Sequence, residues 1–203
     1  MLPSEFKLYC LQFEQISAAL ADNWTLVKTE GGESVFLKKQ DASPQRNLGT
    51  IVTPSEGKEE DCTLDDLSLN VTDLESEDLS ELNDKISFHG VVTAEYEIHF
   101  SESYGVPVIY ARFWDQLGQL LPLERAWKEV TPSEIRSMEK ISFGPHPISG
   151  LPWIQIHPCK TDSILKEILE TCPHQNYLVA FLSLYGKAVG IELSPEYAIF
   201  IDK

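Results

Sequence analysis

Residues 91–113 read VVTAEYEIHFSESYGVPVIYARF, and this stretch decides the fold. Two runs rich in β-branched and aromatic residues, Val91–Phe100 and Val106–Phe113, are separated by Ser101–Gly105, where serine and glycine favour a turn. In the first run Ala94, Tyr96 and Ile98 share one face, while Thr93, Glu95, Glu97 and His99 share the other. A period of two belongs to a half-buried antiparallel strand, so the stretch predicts a hairpin with one face turned to a core.

Upstream, Trp24–Thr29 and Ser34–Lys39 flank Gly31 and Gly32, which predicts a second hairpin, and Asn47–Thr53 is placed to extend the sheet. From Ser4 to Ala21 the residues Phe6, Tyr9, Phe13, Ile16 and Leu20 recur every three or four positions, the spacing of an amphipathic helix. Downstream, Asp115–Gly118 reads as a turn and Leu123–Val130 as a short helix. Residues 144–158 carry Pro145, Pro147, Gly150, Pro152 and Pro158, which predicts an irregular loop crossing the surface. Two helices follow. The first runs from about Thr161, placed as its N-cap, to Glu170, with Ile164, Leu165, Ile168 and Leu169 as its apolar stripe. The second runs from about Gln175 to Tyr185 and ends near Gly186. An antiparallel sheet with helices at both ends of the chain is an α+β architecture.

A chain of 203 residues with 42% hydrophobic residues can bury a substantial core, and a single domain over residues 1–203 is the expectation. No run approaches the roughly 20 apolar residues that span a bilayer, and Met1–Phe6 lacks the basic and apolar regions of a signal peptide, so a cytoplasmic location is expected. Cys10, Cys62, Cys159 and Cys172 are irregularly spaced and read as free thiols. The net charge of −16 argues against nucleic-acid binding, which needs a basic footprint. That charge is local. Residues 54–84 hold twelve acidic residues against Lys58 alone, which accounts for eleven of the sixteen net negative charges. With leucines at 64, 67, 69, 74, 79 and 82 but no aromatic residue, this segment reads as a flexible acidic insertion. It is either a solvated loop or a segment that docks on a basic groove.

Among the cysteines, Cys159 has the setting of a nucleophile, in Ile156-His157-Pro158-Cys159-Lys160-Thr161. It stands just before a predicted helix and beside Lys160, both of which favour the thiolate, with Asp162 opposing them. Pro158 restricts the approach to it. Three chemistries compete for this thiol. Zinc could take His157, Cys159, Cys172 and His174, although these pairs are spaced more tightly than usual chelating pairs. A cysteine hydrolase would need a histidine base, and His89, His99, His146 and His174 show no recognisable arrangement. Thioester exchange asks only for a partly ionised thiol.

The order His146-Pro147, a proline-containing loop, His157-Pro158-Cys159-Lys160, an amphipathic helix and Asn176-Tyr177-Leu178 resembles the autophagy-related ubiquitin-conjugating-like enzymes. Ser103-Tyr104-Gly105-Val106-Pro107-Val108-Ile109-Tyr110 resembles their hairpin, so the likeness covers about residues 86–200. It implies a ubiquitin-conjugating-enzyme-like core, no cofactor and no metal. The compact length and the run Cys159-Lys160-Thr161 look more like the protein-ten branch than the lipid-conjugating branch. For the protein-ten branch the resemblance implies three partners: activating enzyme protein seven as donor, modifier protein twelve carried on Cys159, and a lysine of autophagy protein five as acceptor. The His-Pro-Asn motif that supplies the oxyanion donor in ordinary ubiquitin-conjugating enzymes is missing. His157 and Tyr104, the family-matched aromatic residue, are the candidates for positioning or stabilisation. A lipid-conjugating enzyme and a non-catalytic adaptor of the same fold are the alternatives.

Overall fold

In the computed structural model, residues 1–29, 34–41, 93–131, 141–158, 161–171 and 175–199 are described. The predicted strand Asn47–Thr53, the turn at Gly31–Gly32 and the acidic stretch 54–84 lie outside them.

The N-terminal apolar spacing produces helix α1 (Pro3–Leu20). Pro3 suits a first helical position, where no intrahelical N–H bond is lost, and Glu5 Oε2 accepts the Leu2 N–H at 2.6 Å. The helix stops at Ala21, which adopts the left-handed conformation (φ 56°). Its inner face buries Phe6, Cys10, Phe13 and Ile16. Phe13 stacks on Tyr197 at 4.9 Å and meets Trp24 edge-on at 5.8 Å.

Six described strands form an antiparallel sheet in the order β1-β2-β3-β4-β6-β5. They are β1 (Thr25–Lys28), β2 (Val35–Asp41), β3 (Thr93–Ser101), β4 (Val106–Trp114), β5 (Ile141–Pro145) and β6 (Pro152–Ile156). The central pair is the hairpin predicted from residues 91–113, in register from Thr93↔Trp114 to Ser101↔Val106. Ala94, Tyr96 and Ile98 face the core as the alternation required, with Ile109, Ala111 and Phe113 beside them. At the outer edge of β1, Glu14 Oε1 of α1 accepts the Leu26 N–H at 2.7 Å, so a helix side chain satisfies an edge donor.

The structure corrects the expectation for the proline-rich stretch. Residues 144–158 are not an irregular crossing but the end of β5, a turn and all of β6. The prolines that suggested a loop sit where a strand tolerates them: Pro145 ends the edge strand β5, Pro152 opens β6, and the two are register partners. Gly144 is needed there as well, because a Cβ on it would lie 2.2 Å from the Gln155 side chain.

Helix α2 (Leu123–Val130) matches its prediction. Helix α3 (Thr161–Thr171) contains Thr161 as its first residue rather than its cap, with the Thr161 N–H bonded to Pro158 O at 3.1 Å. Helix α4 (Tyr177–Tyr185) is capped by Asn176, whose Oδ1 accepts the Leu178 N–H at 2.9 Å. The Asn176 Nδ2 donates to Tyr9 O and Gln12 Oε1, tying α4 to α1. Every residue from Tyr177 to Leu182 is buried, as expected of a helix that is apolar all round. A 3₁₀ turn (Gly186–Val189) and α5 (Glu196–Ile199) complete the core layer. Among the described residues no helix is long and apolar enough to cross a membrane.

Candidate functional site

Cys159 and Lys160 lie outside the described residues, and the site is built from its flanks. Strand β6 runs directly into His157 and Pro158, and α3 begins at Thr161. The i→i+3 bond from Thr161 N–H to Pro158 O links the two sides of the candidate nucleophile.

Two residues chosen from sequence, 53 positions apart, meet here. Tyr104 and His157 contact edge to face, with ring centroids 5.6 Å apart and planes at 75°. Tyr104 stands in the β3–β4 turn, which closes through Gly105 N–H to Ser101 O at 2.8 Å, with Gly105 in the left-handed region (φ 63°). A side chain that is 51% exposed is not a core-packing residue, so Tyr104 is available at the surface. His157 is half-buried against it.

Cys10 is fully buried, and desolvation, followed by the nearby Glu14 charge, pushes its thiol far above the usual range. It is not a nucleophile. Cys62, Cys172 and His174 lie outside the described residues, and with them most of the zinc set weighed from sequence.

On the sheet face away from the helices lies a constellation that the sequence did not disclose. Glu97 and His99 were expected on the wet face of a half-buried strand, yet they are 5% and 8% exposed, and His146 is 4% exposed. The Glu97 Oε2 bonds His99 Nε2 at 2.7 Å and His146 Nε2 at 2.9 Å. Its Oε1 accepts from Lys38 Nζ at 3.3 Å. Lys38 also pairs with Glu95, whose other oxygen accepts from Arg112 Nη2 at 2.8 Å. Aromatic rings seal this layer: Phe36 stacks on His99 at 4.4 Å, Trp153 stacks on His146 at 4.3 Å, and Tyr110 presents an edge to both histidines. The Arg112 guanidinium lies 3.9 Å from the Trp153 ring centre.

Burial alone would raise the Glu97 carboxyl, but the hydrogen bonds and charges of His99 and then His146 outweigh it and bring it down to about 2. Burial lowers His146, against the pull of Glu97. Two of the four histidines that show no arrangement in sequence, His99 and His146, are therefore arranged, but around a carboxylate and not as a described base for Cys159; His89 and His174 lie outside the described residues. A signal was available in hindsight: β2, β4 and β6 each place an aromatic residue on the same face as Glu97 and His99, which is not the composition of a solvated face.

The family profile described as "Autophagocytosis associated protein, active-site domain" matches residues 5–196. The chain is 28% identical to the human (Homo sapiens) ubiquitin-like-conjugating enzyme ATG10, over 95% of this chain and 90% of the relative. It is 29% identical to the protein of that name from Dictyostelium discoideum, over 51% of this chain and 53% of the relative. It is also 29% identical to autophagy-related protein 3 of Vanderwaltozyma polyspora, over 69% of this chain and 43% of the relative. A profile that runs through the sheet, the Tyr104–His157 contact and the helices behind them covers nearly all of the fold, and the chain belongs to the autophagocytosis-associated active-site domain family.

Proposed function

We propose that this chain accepts a ubiquitin-like modifier on Cys159 as a thioester and passes it to an amine. The enzyme class, a transferase of ubiquitin-like conjugation, follows from the family and from the names its relatives carry. In the first step the Cys159 thiolate attacks the modifier's C-terminal carbonyl, and the thiolate of the activating enzyme leaves. In the second, an uncharged lysine amine attacks the Cys159 thioester, the tetrahedral intermediate collapses, Cys159 departs as thiolate, and the nitrogen loses a proton to give an isopeptide bond. Modifier protein twelve, activating enzyme protein seven and acceptor protein five are the partners assigned to these roles, in the cytoplasm. One observation supports the reading above the others: Tyr104 and His157, both expected from the family resemblance, converge beside the strand end that leads to Cys159. There they can position the amine or stabilise the developing oxyanion.

The likeness to autophagy-related protein 3 gives a second reading, transfer to phosphatidylethanolamine. The chain is taken as one conjugating domain carrying an acidic insertion at residues 54–84, whose role is docking to a basic partner. The test uses purified wild type and Cys159→Ser with activating enzyme and modifier. Wild type should form an adduct cleaved by reductant, and the serine variant an ester that reductant does not cleave. A wild type that forms no such adduct ends the proposal. Offering both acceptors separates the two branches. Deleting residues 54–84 should slow loading, and unchanged loading removes the docking role.

A further inference from the structure

The buried Glu97–His99–His146 cluster is the group of titratable side chains that the transfer steps above leave unused. One carboxylate and two imidazoles are a donor set that divalent ions accept. The hydrogen bonds point to a different use. An ionised carboxylate can only accept, so the neutral His146 ring holds its hydrogen on Nε2 against Glu97, and Nδ1 accepts from the Ser149 backbone N–H at 3.2 Å and the Ser149 hydroxyl at 3.1 Å. That Nε2–H faces Glu97 Oε2 at 2.9 Å and donates to it. A metal on Nε2 would displace the bond to Glu97 and move the ring's hydrogen to Nδ1, against the Ser149 backbone N–H, so the arrangement is a hydrogen-bonded relay rather than a ligand set.

The relay's location gives it consequence. His146 opens the turn between β5 and β6, which is closed by His146 N–H to Leu151 O and by Gly150 N–H to His146 O, both at 2.9 Å. β6 is held to β4 through only Tyr110↔Gln155 and Ala111↔Ile154, whereas β3 and β4 are in register over nine pairs. β6 also pairs with β5 over five positions, but the β5–β6 hairpin with so short a join to β4 needs side chains to fix its register on the sheet, and a slip of one residue would turn every side chain to the opposite face. Trp153 in β6 supplies that fixing point, stacked on His146 and held by Arg112. The same strand, ending at Ile156, leads directly into His157, which lies against Tyr104.

We propose that His146, as the neutral Nε2–H tautomer bridging Glu97 and Ser149, is a positioning residue for acyl transfer: it fixes the turn and strand register that deliver His157 to Tyr104 ahead of Cys159. This role rests on the transfer chemistry proposed above and adds a residue to it. It carries a pH dependence. A protonated His146 bears hydrogen on both nitrogens and must exchange the Ser149 backbone N–H, which Nδ1 accepts in the neutral ring, for donation to Ser149 Oγ at 3.1 Å, which rearranges the turn. The charged groups facing the ring are Glu97 and His99 from β3, Arg112 from β4 and, through Glu97, Lys38 from β2. Ser149 comes from its own turn, and Tyr110 and Trp153 present aromatic walls.

The test uses the full chain as wild type, His146→Asn and His146→Gln. Asparagine keeps an acceptor for Ser149 but does not reach Glu97, while glutamine reaches Glu97 with an N–H but offers Ser149 no acceptor. Single-turnover discharge of preformed Cys159 thioester at saturating acceptor should fall in both variants, by up to about a hundredfold, because a misplacement on the order of 1 Å costs that much. Wild type should lose rate on the acid side of its profile, and His146→Asn should lack that limb. A purely structural role would lower thermal stability and leave the profile unmoved. Discharge and acid limb both as in wild type would overturn the proposal. If wild type forms no thioester, the transfer reading falls, and the rate of Cys159 alkylation by iodoacetamide decides the positioning role: unchanged in both variants, it is wrong. Should neither variant fold, ring nitrogen shifts of the wild-type protein decide, and a proton on His146 Nδ1 near neutral pH overturns the proposal.

Discussion

Replacing Glu97 by glutamine isolates what the buried carboxylate contributes, because the volume stays nearly constant while the charge is lost. Glu97 takes hydrogen bonds from His99 and His146 on one oxygen and from Lys38 on the other. A glutamine that turns its oxygen to the histidines turns its amide group toward Lys38, donor against donor. Hydrogen bonds to a charged partner are worth about 1.5–3 kcal/mol each, and breaking a buried ionic network costs about 3–5 kcal/mol, so Glu97→Gln should lose about 3 kcal/mol at neutral pH. The pH dependence gives an independent figure. The carboxyl falls from its ordinary 4.5 to about 2 in the fold. A depressed acid adds stability that is fully present above 4.5 and is lost as the pH falls toward 2. At about 1.4 kcal/mol per pH unit over that window, the loss is up to about 3 kcal/mol. Urea unfolding of both proteins from about pH 6 to about pH 2.5 should therefore show a gap that narrows as the pH drops. A gap that stays constant to within about 0.5 kcal/mol would refute the assignment of that stability to an ionised Glu97.

Gly190 adopts φ 79°, and a Cβ on it would lie 2.7 Å from Val130 Cγ1, so Gly190→Ala should cost about 1–3 kcal/mol in thermal unfolding. Adding Val130→Ala should recover only the steric part. Because Tyr104 is exposed, Tyr104→Ala and Tyr104→Phe should each change stability by no more than about 0.5 kcal/mol. Thioester discharge should slow in the alanine variant and be largely kept in the phenylalanine variant, which preserves the edge contact with His157. A loss on the order of a hundredfold in the phenylalanine variant would instead assign the hydroxyl to the oxyanion. Native Cys10 should resist iodoacetamide at mildly alkaline pH and react once the chain is unfolded, as peptide masses will read; modification in the folded protein contradicts its burial.

The parts of this molecule that were legible in sequence are those governed by local rules. Alternation in Thr93–Phe100 and helical spacing in Phe6–Leu20 are properties of one segment meeting one core, and both elements are found as predicted. The β5–β6 hairpin is hidden in sequence because proline marks loops more often than strands, while its cost to a strand depends on whether its missing N–H would face a neighbour. That is a fact about sheet order, and no single segment contains it. The relay was hidden for the same reason at a longer range. Glu97 and His99 sit on the face that alternation assigns to water, and only the pairing of β3 with β2 and β4, together with the return of His146 over the sheet, removes that water. Once water is excluded, an unpaired carboxylate would be costly, which is why one Glu97 oxygen holds both imidazoles and the other meets Lys38. Tyr104 and His157 were found in sequence through family likeness, and their contact belongs to the fold. The turn that presents one and the strand that presents the other are joined through β4, so the strength of β6 pairing governs how closely the two rings stay together. Residues that hold that strand, Trp153 and His146 first, act on the site without touching it.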